Sequence, residues 1–273
     1  MPGIPIPKSP PATPKIAIIN QKGGVAKTTT AAAIAQAAAL RGLLPLAVDL
    51  DPQANLTAYL GGNKELAGTV DLLFDGAPLA ESVQKVDGID LVASCIQLAA
   101  ADIALSSKIG RDGILARAIA RCATPYDIVV FDTPPGLGSL LFNALVAADR
   151  VVVATSAECF AVDKTFELPE TIEQIRDCTD GNLSILGIIE TRWQSRTNVQ
   201  RDFDEALAGW AQNQGIPILG RIRQSVVVQE AQARGLSVFE YRPNSGAAKD
   251  YADACEALFS ILGFAEEETH GAA

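Results

Sequence analysis

The chain has 273 residues, of which 48% are hydrophobic and 20% charged. That composition fits a folded protein with a sizeable core and excludes disorder as the main state. With 22 basic and 32 acidic residues the net charge is −10, so nucleic acid or an anionic membrane can be met only through a local basic patch. The one histidine, His270, stands beside Glu266, Glu267 and Glu268 near the end, so histidine triads and His-rich metal sites have no material. Five scattered cysteines (Cys95, Cys122, Cys159, Cys178 and Cys255) include no C-x-x-C pair, which argues against zinc ribbons and disulfide frameworks and for a reducing cytoplasm. No apolar run is long enough for a signal core or a membrane span, so neither secretion nor membrane insertion is expected.

In chain order, residues 1–14 carry prolines at 2, 5, 7, 10, 11 and 14 and read as a flexible arm. Ile16 to Ile19, after Lys15, form a short apolar run ending in a glycine turn, the pattern of a buried parallel strand. Thr28 to Arg41 is alanine-rich and reads as a helix stopped by Gly42; Leu44 to Val48 restores the strand pattern. Further strands are expected at Ile89–Ala93, Asp127–Phe131, Arg150–Ala154, Leu183–Ile189 and Ile216–Leu219. Helices are expected at Asp112–Cys122, Ser139–Ala147, Val162–Arg176, Val199–Gln212 and Gly246–Leu262. This alternation predicts one α/β domain over residues 15–264, a mostly parallel twisted sheet with helices on both faces. Ligand should bind at the carboxyl ends of the strands. Residues 265–273 read as an acidic tail.

Between the first strand and first helix lies Asn20-Gln21-Lys22-Gly23-Gly24-Val25-Ala26-Lys27-Thr28-Thr29. Glycines let the backbone curl so that successive N–H groups face an anion, and the helix N-terminus adds its dipole. Lys27 supplies a point charge for terminal phosphates, and Thr28 offers a hydroxyl to Mg²⁺. The nucleotide-binding set is therefore Gly23, Gly24, Val25, Ala26, Lys27, Thr28 and Thr29. The general phosphate-loop pattern has glycine before the lysine; here that residue is Ala26, which would be strained at positive φ. Leu46 to Gln53 puts Asp49 and Asp51 at a strand end on the edge from which this loop emerges, a pair suited to Mg²⁺ and water. Asp49 is equally suited to capping the helix after Pro52. Tyr126 to Gly136 repeats the logic, a hydrophobic strand ending in Asp132.

Lys22-Gly23-Gly24-Val25-Ala26-Lys27-Thr28 resembles the deviant Walker A loop of the ParA/MinD family of P-loop ATPases. Asp49-Leu50-Asp51-Pro52-Gln53 resembles the D-x-D-P-Q box of its ParA-type members, and Phe131-Asp132 its Walker B region. Asn143 also matches the family pattern. The resemblance runs from about Lys15 to Leu262. It implies an ATP- and Mg²⁺-dependent ATPase, slow without a partner, in which Lys22 reaches the nucleotide of the other subunit in an ATP-dependent homodimer. It further implies that Lys27 holds phosphates, Asp51 positions the attacking water, and Thr28, Asp51 and Asp132 serve the metal.

The second half bears Arg192, Arg196, Arg201, Arg221, Arg223 and Arg234 among five acidic residues. Arg196, in Glu190 to Asn198, resembles a ParA-type arginine that contacts nonspecific DNA. Arg192, Arg221 and Arg223 join it as candidate DNA contacts, with a solvated surface as the alternative. Family usage then implies a cytoplasmic, nucleoid-associated protein that segregates plasmid or chromosomal DNA with a ParB-like partner that stimulates hydrolysis. Alternatives are a relative that positions a protein cargo through an adaptor, and a MinD-like membrane switch. The acidic C-terminus argues against the latter, since anionic lipid repels it.

Overall fold

The computed structural model describes residues 13–66, 68–105, 110–157, 172–173, 183–194 and 198–264. The expected helix at Val162–Arg176, most of the proline-rich arm, the acidic tail, Arg196, His270, Cys159 and Cys178 lie outside the described residues, wholly or, for the helix, in all but two positions.

Eight strands form one sheet in the order β3-β4-β2-β5-β1-β6-β7-β8. They are β1 (Lys15–Ile19), β2 (Pro45–Asp49), β3 (Val83–Val86), β4 (Ile89–Val92), β5 (Ile128–Asp132), β6 (Arg150–Thr155), β7 (Ser184–Trp193) and β8 (Ile218–Arg223). Every pairing is parallel except β3 with β4. Thr13 and Pro14 already join this framework: the Thr13 hydroxyl donates to the Tyr126 carbonyl at 2.7 Å, and the Val129 amide donates to the Pro14 carbonyl at 2.9 Å.

The central strands are buried, β2 and β5 along their whole length and β1 and β6 in all but their first residue, and their side chains alternate between two cores. Ile16, Ile18, Ile128 and Val130 enter the core beneath α1 (Lys27–Leu40), α2 (Asn55–Tyr59) and α9 (Gly246–Leu262). Ala17, Ile19, Val129 and Phe131 enter the core on the opposite face, beneath α4 (Ile114–Ala120), α5 (Ser139–Ala147) and α6 (Asn198–Gln214). The alanines of α1 bring its backbone close to the sheet, with Ala31, Ala32, Ala35 and Ala38 fully buried. Asp102 of α3 (Leu98–Leu105) accepts a hydrogen bond from the Leu140 amide at 3.2 Å and so caps α5, which lacks a side-chain cap of its own.

The expected elements return with shifts that have physical causes. β3 was not anticipated. It pairs with β4 through Asp87-Gly88, both at positive φ (43° and 77°), which is the two-residue hairpin turn that Asp-Gly favours. β7 and β8 extend to Trp193 and Arg223, past the apolar runs that announced them, because Glu190, Thr191 and Arg192 in β7 and Arg221 and Arg223 in β8 interrupt the apolar pattern. The helix expected at Asp112–Cys122 opens as a tight turn at Arg111–Gly113 and turns α-helical only from Ile114. α3, α7 (Val226–Ala233) and α8 (Val238–Tyr241) were not anticipated, being too short to show a clear 3.6-residue period.

The last helix closes the fold. Ser245 caps α9 by accepting from the Ala248 amide at 3.2 Å, and Gly263 ends it at φ 83°. Phe259 is fully buried, meets Phe264 edge to face at 6.0 Å, and carries the Arg41 guanidinium 4.7 Å above its ring. Phe259→Ala should therefore lower unfolding free energy by about 3–5 kcal/mol, read as a drop in the urea midpoint at unchanged slope.

Candidate functional site

The parallel order delivers the loop after β1, the ends of β2 and β5, and the ends of β7 and β8 to one edge. There they bound a cleft of about 760 Å³ lined by Gly23, Gly24, Ala26 to Thr29 and Asp51 on one side and by Arg192, Ile222 to Ser225 and Val228 on the other. A cleft of this size at this place suits a small molecule.

The loop is held from several sides. Asn20 donates to the Ala154 carbonyl at 2.8 Å and accepts from the Lys22 amide at 2.9 Å. The Thr191 hydroxyl lies 3.2 Å from the Val25 carbonyl and 3.1 Å from that of Thr155, and the Thr133 hydroxyl donates to the Ile18 carbonyl at 2.6 Å. From α7, Gln232 donates to the Thr29 hydroxyl at 2.8 Å. Gly23 and Gly24 are exposed, with Gly24 at φ 80°. Ala26 sits at φ 57°, ψ 31° as the N-cap of α1. The strain expected of alanine at this turn is thus present, at a cost of about 1–2 kcal/mol. Ala26→Gly should recover about 0.5–1 kcal/mol after the larger chain entropy of unfolded glycine is subtracted, measured as a raised thermal midpoint without ligand.

Charge at this edge is unbalanced. Lys27 is buried, its ammonium donating to the Lys22 carbonyl at 3.1 Å. Burial lowers its pKa, and Asp132 and Asp51 oppose that shift. Asp49 and Asp132 are register partners on β2 and β5, so two carboxylates end adjacent strands. Asp49 accepts from the Thr57 hydroxyl at 2.7 Å, the Thr57 amide at 2.8 Å and the Asp51 amide at 3.1 Å. Of its two expected roles this geometry selects the capping one, since Thr57 lies in α2. Burial pushes Asp49 up to about 6 against the pull of those donors. Asp51 accepts from the Gln53 amide at 2.9 Å and faces the cleft.

Asp132 is fully buried, and neither of its oxygens has a hydrogen-bond partner. Burial and then the Asp49 charge hold its carboxyl well above the usual range; the nearby Thr28 hydroxyl favours the ionised form without reaching hydrogen-bond geometry. An orphaned buried carboxylate beside a hydroxyl fits a cation. Among the described residues no three acidic, cysteine or histidine side chains converge as a protein-only metal cage.

Of the four arginines expected at DNA, Arg192, Arg221 and Arg223 are described, each near the end of β7 or β8. Arg196 lies outside the described residues. Arg221 pairs with buried Glu190 at 3.0 Å. Arg223 grips Asp250 through Nε at 2.6 Å and Nη2 at 2.7 Å and lines the cleft. Arg192, at φ 53°, also lines it. Asn143 is buried between helices, accepting from the Leu115 amide at 3.3 Å and donating to the Ser139 carbonyl at 3.0 Å, which is a packing role. Thr191 and Gln232 were missed as site residues. Their partners lie far away along the chain, so no local spacing marks them.

Beside the cleft, Glu190 and Asp204 share a network with Gln200, Arg221 and the Trp193 indole. Burial first, then Asp204, lifts Glu190 to about 7. Asp204 shifts down: burial opposes this, but Trp193, Gln200 and the shared Glu190 proton outweigh it. A raised folded value means that Glu190 supports folding below the ordinary carboxyl range and withdraws that support as pH rises through about 7. Urea unfolding at pH 5.5 and pH 8 should show this loss, and Glu190→Gln should flatten it.

A family model described as an AAA domain matches residues 13–185. The chain is 34% identical to the sporulation initiation inhibitor protein Soj of Bacillus subtilis, over 87% of this chain and 95% of the relative. It is 35% identical to the chromosome-partitioning ATPase Soj of Thermus thermophilus, over 90% and 95% respectively. Among solved structures, a cobyrinic acid a,c-diamide synthase from Mycobacterium smegmatis with bound ATP analogue and magnesium superposes with a TM-score of 0.78. Its sequence identity is 32%, covering 92% of this chain and 96% of that one.

Proposed function

The chain belongs to the ParA/MinD family of P-loop ATPases, and on that premise we propose that it is a positioning ATPase that binds Mg²⁺·ATP, dimerises around it and holds nonspecific DNA. A ParB-like partner then stimulates hydrolysis and release, and the cargo is plasmid or chromosomal DNA. One observation carries the reading: an anion-binding loop with buried Lys27 stands directly beside the unpartnered carboxylate of Asp132. A nucleotide chelating a divalent cation satisfies both at once.

The residues divide the work. Backbone amides from Gly23 to Thr29 receive the phosphates, and the Lys27 ammonium leaves the Lys22 carbonyl for their terminal oxygens. Thr28, Asp51 and Asp132 would hold the metal, which supplies neutralisation of the phosphate charge. Asp51 faces the cleft with its backbone anchored by Ser94 at 2.8 Å, so its carboxylate can accept a hydrogen bond from the attacking water and hold it in line. Lys22 reaches the nucleotide of the second subunit, which makes the dimer a consequence of ATP. Slow turnover follows when the attacking water is incompletely ordered until a partner binds, and a long-lived ATP state is what a positioning cycle requires.

DNA contact is assigned to Arg196 and to Arg221 on the edge strand β8, duplicated by the dimer axis. Arg192 and Arg223, the other two candidates, also line the nucleotide cleft. Among the described residues no helix is long and apolar enough to cross a membrane.

Lys27→Ala should abolish ATP binding, whereas Asp51→Ala should retain ATP, lose turnover and accumulate a DNA-bound dimer. An Asp51→Ala chain that stays monomeric with ATP would refute the role given to Asp51. Arg196→Glu should weaken duplex binding most at low salt while leaving ATP affinity unchanged; coincident salt titrations for variant and wild type would remove Arg196 from the interface.

A further inference from the structure

Arg192 is where the cleft wall departs from strand geometry. Its φ is 53°, and the register of β7 on β8 slips between Glu190 and Trp193. Both neighbours are anchored. The Thr191 hydroxyl bridges toward the carbonyls of Val25 and Thr155, while the Trp193 carbonyl accepts from the Gln224 amide at 3.0 Å and its indole donates to Asp204 at 3.1 Å. A left-handed residue between two fixed ones re-aims its side chain out of the strand alternation, and backbone strain of this kind in a bulky residue marks a working position.

The side chain of Arg192 is exposed and lines the cleft beside Ile222, Gln224 and Val228. In the sheet order β1-β6-β7-β8, the end of β7 stands two strand spacings, about 10 Å, from the phosphate loop after β1. That distance places Arg192 at the nucleoside end of a nucleotide whose phosphates occupy the loop. Tyr59 and Tyr251 also line the cleft but are buried, so the exposed guanidinium of Arg192 is a flat cation matched to an aromatic base there.

We propose that Arg192 lays its guanidinium against the face of the nucleobase and so sets nucleotide affinity at the nucleoside end of the cleft. The inference rests on the nucleotide reading above and assigns Arg192 a stacking contact with the base, distinct from the phosphate contacts of Lys27.

Calorimetric titration of the full-length chain with Mg²⁺·ATP, and separately with inorganic tripolyphosphate, tests it in Arg192→Met, Arg192→Lys and Arg192→Gly. ATP affinity should fall about 3- to 30-fold in the Met and Gly variants, and the Lys variant should stay closer to these than to wild type. Tripolyphosphate affinity should change by less than about 2-fold, the span left when no stacking contact is at stake. Without ligand, Arg192→Gly should melt higher than wild type, since glycine relieves the left-handed strain while removing the contact. Unchanged ATP affinity in Arg192→Gly would overturn the inference. So would an equal loss for tripolyphosphate, which would place the guanidinium on phosphate. A wild-type chain that binds tripolyphosphate but not ATP would remove the base contact, and one that binds neither would refute the nucleotide reading itself.

Discussion

The structure turns on a buried cluster of ionisable groups that the chain does not pair by itself. Asp132 ends a fully buried strand with two unpartnered oxygens, its register partner Asp49 is also buried, and Lys27 is buried beside them with its proton directed to a backbone carbonyl. Burying ionisable groups without partners costs stability unless something arrives to pair them. Backbone amides of the adjacent loop pose the complementary demand for an anion. A metal-chelated polyphosphate answers both, and most features of this edge follow from holding the site ready for one.

Readiness depends on the sheet. Because β5, β1 and β6 are parallel neighbours, the loop after β1 emerges between two strand ends that can pin it, Ala154 taking the Asn20 amide and Thr133 reaching Ile18. One alanine and one arginine are held in left-handed conformations at the cleft, Ala26 in the loop after β1 and Arg192 on the far wall. Both positions are over-determined by neighbours with fixed hydrogen bonds, which is how local strain persists in a folded chain. The network joining Glu190, Asp204 and Arg221 then ties the β7 and β8 ends together behind that wall.

The central fold was legible because β1, β2, β5 and β6 are continuous apolar runs between turn signals, and because α5 and α9 have clear boundaries. The phosphate loop and its carboxylates were legible for a related reason: their spacing is local, and each lies at the end of such a run. Legibility failed where contacts are long-range or elements short. Asp87-Gly88 was a readable hairpin signal, yet β3 around it is only four residues and half polar. Nothing in the spacing around Arg223 points to Asp250 in α9, so its ion pair was hidden, as was that of Arg221 with Glu190. The dual reading of Asp49 could be decided only in three dimensions, by Thr57.

The central claim is that cation and nucleotide complete one another in this site. Thermal unfolding of the full-length chain with Mg²⁺ alone, with ATP and a chelator, and with Mg²⁺ and ATP together tests it most directly. Ligand that binds only the folded state raises the midpoint in proportion to its occupancy. The account predicts that the combination raises the midpoint by several degrees more than the sum of the separate effects. An equal rise with ATP in the presence of chelator would contradict it, because the buried carboxylates would then repel the phosphates they are held to receive.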